Sequence, residues 1–172
     1  MTPLPAALTS GSGKLVAWRL EREKYAPAWA SAEGAFLVGG RWSSAGRRVI
    51  YASLDPSTTI IEVAVHKGIN TLDVVAHTLL EFEIDAAKVQ VVQPADVPNP
   101  NWLRPGTISR GQQKFGDDLL GASPLVVVPS VVSTHSWNLL IDAAAAAPGG
   151  LVSLKAQERF ALDTRLTLGI HI

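Results

Sequence analysis

Hydrophobic and polar residues alternate between positions 77 and 84, with Leu80, Phe82 and Ile84 on one side and two glutamates on the other. A period of two residues is typical of a β-strand that buries one face and leaves the other in solvent. The pattern therefore predicts a half-buried antiparallel strand.

Other stretches are rich in the aliphatic, β-branched and aromatic residues that strands favour. One of them contains Pro129, which predicts an edge, a bulge or a strand end, because proline cannot donate a hydrogen bond to a neighbouring strand. The stretches predicted as strands are 14–20, 48–53, 125–132, 137–142 and 158–168.

A helix is predicted to begin at Asp55 and Pro56, because aspartate caps free backbone N–H groups and proline suits the first helical position. Gly68 predicts its end, with a left-handed C-cap. The side of this helix that is expected to face the core carries Ile60, Ile61, Ala64 and Val65.

A second, shorter helix is predicted over residues 112–120, before Gly121. Residues 21–33 are predicted as a loop with a turn of helix, and residues 143–150 as a loop or one helical turn. Prolines make 93–107 a connecting loop, with Trp102 as its anchor. This mixture of several strands and a few short helices predicts an α+β fold rather than a doubly wound sheet.

The length of the chain fits one domain. At 172 residues and 18.3 kDa it is large enough to bury a substantial core. Residues 1–13 are rich in proline, alanine, serine and glycine, which predicts a flexible lead-in. Residues 14–172 are predicted to form the single domain.

The charge balance argues against nucleic acid as a direct partner. The chain carries 15 basic and 15 acidic residues and has a formal net charge of zero, whereas nucleic-acid binders usually carry a basic surplus. Without cysteine, disulfides and thiolate chemistry are excluded, and the four histidines lack metal-ligand spacing, so no metal site is predicted. Without a signal peptide or a membrane-spanning run, the sequence predicts a cytoplasmic protein with no membrane partner.

Candidate chemistry is concentrated in residues 39–53. Gly39 and Gly40 let the backbone approach a ligand, and the guanidinium fork of Arg41 matches a phosphate. The ordinary alternative is an arginine that pairs with a carboxylate and pins the loop, and this feature alone favours that alternative.

Three further positions each have a structural and a functional interpretation. Tyr51 is either a half-buried core tyrosine or a stacking surface for a ligand. Glu62 is either a solvated carboxylate paired with His66 or part of a site. The hydroxyl of Ser130, within an apolar run, either bonds to local backbone or faces a cavity.

In their order along the chain, these segments resemble the RES domain, a family named for an arginine, a glutamate and a serine. The resemblance extends from about residue 15 to residue 168. The motifs that carry it are Trp18-Arg19-Leu20, Gly39-Gly40-Arg41-Trp42-Ser43, Val49-Ile50-Tyr51-Ala52-Ser53, Thr59-Ile60-Ile61-Glu62-Val63, Val128-Pro129-Ser130-Val131-Val132 and Trp137-Asn138-Leu139-Leu140-Ile141.

The resemblance implies an ADP-ribosyltransferase-like fold, which is a split, mostly antiparallel β-sheet with short helices around a central cleft. It implies NAD+ as a substrate, with no true cofactor, and cleavage of the nicotinamide–ribose bond by hydrolysis or phosphorolysis. It further implies the toxin of a bacterial type II toxin–antitoxin pair, neutralised by an Xre-like antitoxin. Two alternatives stay open: a protein ADP-ribosyltransferase that uses the same NAD+ site, and a non-catalytic partner-binding domain of the same fold.

Cleavage of this bond passes through an oxocarbenium-like state, and the resemblance implies a role for each candidate residue. Arg41 would hold the pyrophosphate, with Arg19 or Arg48 as a helper. Tyr51 would stack on nicotinamide, and Glu62 would stabilise the developing cation. The other candidates are Ser130, which would orient ribose, phosphate or a neighbouring side chain, and the substrate-binding positions Gly40, Trp42 and Asn138.

Two positions depart from the family pattern. Ser43 stands where asparagine is usual, and Asp142 stands where the family often has Asn-Pro. Both are predicted to reshape loops near the cleft, and therefore to affect substrate preference more than NAD+ binding.

Overall fold

The computed structural model describes residues 1–104, 106 and 108–166. Within them, seven strands form one sheet, namely β1 (Lys14–Arg22), β2 (Val49–Ser53), β3 (His77–Asp85), β4 (Gln90–Val91), β5 (Leu125–Pro129), β6 (Trp137–Asp142) and β7 (Val152–Phe160). Their order in the sheet is β4-β5-β6-β2-β1-β3-β7. All neighbouring strands are antiparallel except β4 and β5, which are parallel.

Short helices surround this sheet. The α-helices are α1 (Ala6–Ser10), α2 (Glu33–Val38), α3 (Pro56–Lys67), α4 (Ile69–Val74) and α5 (Arg110–Ala122). The 3-10 helices are Glu23–Ser31, Ala86–Lys88, Pro94–Asp96, Ala143–Ala146 and Thr164–Leu166. The predicted α+β class is confirmed. Over the described ranges, the helices fall short of the length and apolar character needed to cross a membrane.

The sheet opens between β1 and β2. These two strands pair through one residue couple, Trp18 opposite Ser53, whereas β1 and β3 pair from Lys14 to Arg22. On the other side of the opening, β2 pairs with β6 along its whole length. This is the split, mostly antiparallel sheet that the family resemblance implied.

The opening also divides the core on one face of the sheet. The first face carries one continuous cluster, which includes residues of β1, β2, β3, β5 and β6 and is covered by the 3-10 helix Glu23–Ser31. The second face carries two clusters. One lies on β2, β5 and β6 under α5, and the other lies on β1 and β3 under α3 and α4. The boundary between these two clusters falls at the β1–β2 opening.

Helix α3 begins as predicted. The carboxylate of Asp55 accepts a hydrogen bond from the backbone N–H of Thr58 at 2.7 Å, and Pro56 lies in the first turn. Thr59 Oγ1 donates to the carbonyl of Trp18 at 2.9 Å, which ties the helix to β1. At Gly68 the predicted left-handed cap is wrong in detail, because φ is 83° but ψ is 140°, outside the left-handed helical region.

The predicted core side of α3 is wrong at two positions. Ile61 is 45% exposed and Val65 is 62% exposed. Ile60 and Ala64 pack towards β1 and β3 as predicted, together with Val63, which was not among the predicted core residues. The helix is therefore rotated relative to the sequence interpretation, because Thr58 and Thr59 are buried at its start.

The predicted final strand, 158–168, is displaced. The observed strand β7 begins at Val152 and ends at Phe160, and residues 167–168 lie outside the described ranges. Strand β7 is at the edge of the sheet and most of its residues are exposed, so its sequence has little hydrophobic periodicity to reveal it. Strand β4 and helix α4 were not predicted either, because each is only a few residues long.

The segment predicted as a loose lead-in contains helix α1. Leu4, Ala7 and Leu8 pack against the first-face cluster, and the backbone N–H of Thr2 donates to the carbonyl of His135 at 2.7 Å. Residues 21–33, predicted as a loop with a helical turn, contain the end of β1 and the 3-10 helix Glu23–Ser31.

Helix α5 lies directly against the loop that follows α2. A Cβ atom at Gly116 would lie 2.0 Å from the carbonyl oxygen of Trp42, so the approach depends on the absence of a side chain there. The indole of Trp42 packs against the rings of Trp102 and Phe115, with centroids 6.5 Å and 6.4 Å away. This packing holds the loop on the second face of the sheet.

We expect Gly116→Ala to destabilise the protein by about 1–3 kcal/mol, because the added methyl group overlaps the Trp42 backbone. The matched control is Gly121→Ala in the same helix, where nothing lies within 4 Å of the added atom. That control should gain up to about 1 kcal/mol from helix propensity. Thermal unfolding measures both, and equal Tm values for the two variants would contradict the contact.

Candidate active site

The carboxylate of Glu62 is held at one of its two oxygens. Ser130 Oγ donates to Oε1 at 2.8 Å, and Asn138 Nδ2 donates to the same oxygen at 2.6 Å. The second oxygen, Oε2, lies 3.7 Å from Nε2 of His66. The Glu62 side chain is 20% exposed, against 68% for His66, so the carboxylate faces solvent only in part.

The interpretation of Glu62 as a carboxylate paired with His66 describes part of what is observed. His66 does lie four residues on and near the carboxylate, as the simple helix pairing predicts. The two donors from the sheet were not visible in that pattern, because they come from residues 68 and 76 positions further along the chain. The carboxylate is therefore a junction between α3 and the strands β5 and β6.

Ser130 is positioned by the end of strand β5. It follows Pro129, where the strand ends, and its backbone N–H donates to the carbonyl of Ser136 at 2.9 Å. Its hydroxyl also accepts a hydrogen bond from the backbone N–H of Ser133 at 3.0 Å. The predicted bond to local backbone is observed, and the hydroxyl in addition donates to Glu62.

Asn138 lies near the start of strand β6, opposite Ser53 of β2. Ser53 Oγ donates to Asn138 Oδ1 at 2.8 Å, and Asn138 in turn donates to Glu62. The sequence motifs alone suggest no role for Ser53. The available signal was its position two residues after Tyr51, which places both side chains on the same face of one strand.

Tyr51 is fixed by its hydroxyl. This group lies 2.9 Å from Ser43 Oγ and accepts from the backbone N–H of Trp42 at 3.3 Å. Burial raises the pKa of Tyr51 to about 12, in spite of the hydrogen bonds from Ser43 and Trp42, which lower it. A Cβ atom at Gly40 would lie 2.4 Å from the Tyr51 hydroxyl, so this glycine is needed where the loop crosses the ring.

Arg41 does not pin its loop through a carboxylate. Its NH1 donates to the carbonyl of Trp102 at 3.2 Å, and over the described ranges no acidic side chain lies within ion-pair distance of its guanidinium. The loop is held instead by Asp117, whose carboxylate accepts from the backbone N–H of Ser44 at 3.2 Å, and by Gln113, which donates to the carbonyl of Gly40 at 3.0 Å. The guanidinium of Arg41 therefore keeps donors for a ligand.

Arg19 lies at the sheet opening. Its NH1 donates to the carbonyl of Tyr51 at 2.8 Å, across the gap between β1 and β2, and its NH2 pairs with Glu21. Burial alone would raise the pKa of the Glu21 carboxyl, but the charge and hydrogen bond of Arg19 and the N–H of Arg22 lower it. Arg19 is therefore close to the predicted site but already has a counter-ion.

Arg48 and Trp42, two residues predicted to contact the ligand, have other contacts in the structure. The guanidinium of Arg48 bonds to Ser31 and Glu33 and lies 4.3 Å from the centre of the Phe36 ring. It precedes β2, five residues and about 16 Å from Ser53 at the far end of that strand. Trp42 is 2% exposed, so its side chain supports the Arg41 loop from within the core.

The fold and the site together define a class: an α+β domain with a split sheet, in which a half-buried glutamate at the opening is held by a serine and an asparagine. The sequence profile of the RES domain matches residues 16–163. The chain belongs to the RES domain family.

Curated relatives match over most of their length. The chain is 27% identical to "Toxin Res" of Photorhabdus laumondii over 154 residues, 88% of this chain and 97% of that protein. It is 32% identical to "Toxin Res" of Pseudomonas putida, over 74% of this chain and 84% of that one. It is 28% identical to "Prs ADP-ribosylating toxin" of a Sphingobium species, over 74% of this chain and 81% of that protein.

Among solved structures, the fold is similar to a chain in the crystal structure of the M. tuberculosis MbcT–MbcA toxin–antitoxin complex. The TM-score is 0.71, and the match covers 92% of this chain and 94% of the other. At 17% identity this similarity concerns the fold.

The raised pKa of Tyr51 leads to a prediction for alkaline pH. An unfolded tyrosine ionises near pH 10 but Tyr51 in the fold only near 12, so its contribution to stability is complete below pH 10 and is lost as the pH rises to 12. We expect the tyrosinate absorbance of wild type and Tyr51→Phe to coincide up to about pH 11. An additional ionisation near pH 10 in the wild type alone would contradict this.

Proposed function

We propose that this chain is the toxin of a toxin–antitoxin pair and that it cleaves the nicotinamide–ribose bond of NAD+. Family membership and the names of the relatives support the toxin assignment. The observation that carries the reaction is the Glu62 carboxylate, which Ser130 and Asn138 hold at Oε1 while Oε2 lies 3.7 Å from the largely exposed His66.

The chemistry of this bond requires a fixed negative charge. As the bond between ribose C1′ and the nicotinamide nitrogen breaks, its electron pair leaves with nicotinamide and the ribose becomes an oxocarbenium-like cation. A preorganised carboxylate stabilises that cation without reorganising at the moment of reaction. Glu62 suits this requirement, since Ser130 and Asn138 both donate hydrogen bonds to its Oε1 and so restrain the carboxylate.

The other candidate residues fit binding. Arg41 retains guanidinium donors that suit the oxygens of a pyrophosphate. Arg19 donates to the backbone carbonyl of Tyr51 at the opening and is our second candidate for a cation that binds the substrate, with its charge partly balanced by Glu21. Tyr51 stays neutral below its pKa of about 12, and an uncharged ring suits stacking on a cationic nicotinamide.

The acceptor completes the reaction. Water, inorganic phosphate or a protein side chain would form the new bond to C1′ and lose a proton. Protein ADP-ribosylation is a specific second candidate, because one relative is named an ADP-ribosylating toxin. Incubation with NAD+, with and without phosphate and with a protein mixture, separates the three by their products: free ADP-ribose, ADP-ribose phosphate, or label bound to protein.

A partner protein is part of this proposal. The structural neighbour was solved as a toxin–antitoxin complex, and by family resemblance we propose an Xre-like antitoxin that neutralises this chain. With a formal net charge of zero, this chain has no charge surplus for nucleic acid, so any operator binding would come from the antitoxin. Size-exclusion chromatography of the co-expressed pair tests the association.

We expect Glu62→Gln to lower the rate of NAD+ consumption by about 10²-fold or more, because the amide keeps the shape of the carboxylate but removes its charge. Glu158→Gln, an exposed position on β7, is the matched control and should retain wild-type turnover. Nicotinamide release, followed by NMR, measures both. Wild-type turnover in Glu62→Gln would refute the role, and a wild-type chain that leaves NAD+ intact would favour a non-catalytic domain.

Arg41→Ala is expected to raise KM for NAD+ by about tenfold or more, because it removes a charged hydrogen-bond donor for phosphate. Arg48→Ala removes the same charge from the same part of the sequence, but Arg48 faces Glu33 and Phe36. That control should leave KM within about twofold of wild type. Equal effects of the two substitutions would show that Arg41 has no direct contact with the substrate.

A further inference from the structure

We propose that Ser53 is a positioning residue for Glu62 and acts through the amide of Asn138. The three side chains form a chain of hydrogen bonds from the sheet junction to the carboxylate, Ser53 Oγ to Asn138 Oδ1 at 2.8 Å and Asn138 Nδ2 to Glu62 Oε1 at 2.6 Å. The catalytic consequence rests on the function proposed above, whereas the positioning itself does not.

The direction of each hydrogen bond follows from the groups involved. An ionised carboxylate can only accept, so the amide must present its NH2 group to Glu62. The carbonyl oxygen of Asn138 then faces Ser53, and the Ser53 hydroxyl must donate. Any other orientation of the amide would place an oxygen against the carboxylate.

Burial makes this orientation depend on Ser53. Ser53 is 3% exposed and Asn138 is 8% exposed, so water has little access to the amide oxygen. Within the described ranges, Ser53 is the side chain that donates to it. The terminal torsion of asparagine is broad, so without this donor the amide has a buried, unsatisfied oxygen and a wider range of orientations.

The two oxygens of Glu62 then differ in their tasks. Oε1 receives both Ser130 and Asn138, which leaves it little capacity for a further donor. In the part of the chain that the structure describes, the ion-pair partner of Oε2 is His66, at 3.7 Å. A correctly oriented Asn138 therefore keeps Oε1 as the anchored oxygen and presents Oε2 to a ribose hydroxyl.

Ser53 also belongs to the junction of the split sheet. It is the residue of β2 that pairs with β1, opposite Trp18. The hydrogen-bond chain that orients the Glu62 carboxylate therefore begins at the residue where the two halves of the sheet meet.

The experiment compares Ser53→Ala with Ser53→Thr, which keeps the hydroxyl and suits a strand. Ser123→Ala is the matched control. It removes a serine hydrogen bond, to the carbonyl of Leu125 at the start of β5, whereas Ser130 and the carboxylate of Glu62 lie at the other end of that strand. Asn138→Ala serves to assign the side-chain amide resonances of Asn138, and circular dichroism checks that each variant is folded.

The first measurement needs no substrate. In wild-type protein the two Nδ2 protons of Asn138 should have well-separated chemical shifts, because one of them donates to a carboxylate at 2.6 Å. Ser53→Ala should reduce this separation and speed exchange with water, whereas Ser53→Thr and Ser123→Ala should preserve both. An unchanged Asn138 signal in Ser53→Ala overturns the proposal.

The second measurement is kinetic. Ser53→Ala should lower kcat for NAD+ by about tenfold with KM nearly unchanged, because a misplaced catalytic group slows the chemical step while the phosphate contacts remain. In the Asn138→Ala background the same substitution should cause no further loss. Losses that multiply in the double variant overturn the proposal. A wild-type chain that consumes no NAD+ would refute the proposed function, and the NMR measurement would still decide the role of Ser53.

Discussion

The one residue couple between β1 and β2, Trp18 opposite Ser53, is the constraint on which the rest of the structure depends. Beyond it the strands diverge, and backbone groups that a continuous sheet would pair need other partners. Side chains supply them: Arg19 donates to the carbonyl of Tyr51 at 2.8 Å, and Thr59 donates to that of Trp18 at 2.9 Å. An open sheet therefore requires polar side chains at its opening, where a ligand also has access.

The distribution of charge follows from this arrangement. Arg19 at the opening is balanced by Glu21, and Arg47 and Arg48 are paired with Asp142 and Glu33. Arg41 is held by a neutral carbonyl instead. Because a paired guanidinium has fewer donors to offer, Arg41 is the one of these four arginines best suited to an anion. The sequence alone favours a carboxylate partner that lets Arg41 pin its loop. In the structure a carboxylate does hold this loop, but it is that of Asp117, which accepts from the backbone N–H of Ser44.

Local signals in the sequence predicted the elements whose ends are marked by side chains or by clear alternation, such as the Asp55 cap and the strand that contains Phe82. They did not reveal β7, whose edge position leaves most of its residues exposed. For the site, the order of the family motifs along the chain already predicts that Glu62, Ser130 and Asn138 belong to one site. Spacing alone cannot predict a hydrogen bond between residues 85 positions apart, so the Ser53–Asn138 contact became visible only when β2 and β6 were paired.

The two departures from the family pattern differ in consequence because they lie at different places on the strands. Asp142 ends β6, four residues and about 13 Å from Asn138, where it pairs with Arg47 and caps the following 3-10 helix. Its effect is on the far end of the sheet. Ser43 is fully buried and bonds to the hydroxyl of Tyr51. A longer asparagine there would have to displace that hydroxyl or the loop, so Ser43 is the departure that bears on the ring proposed to face nicotinamide.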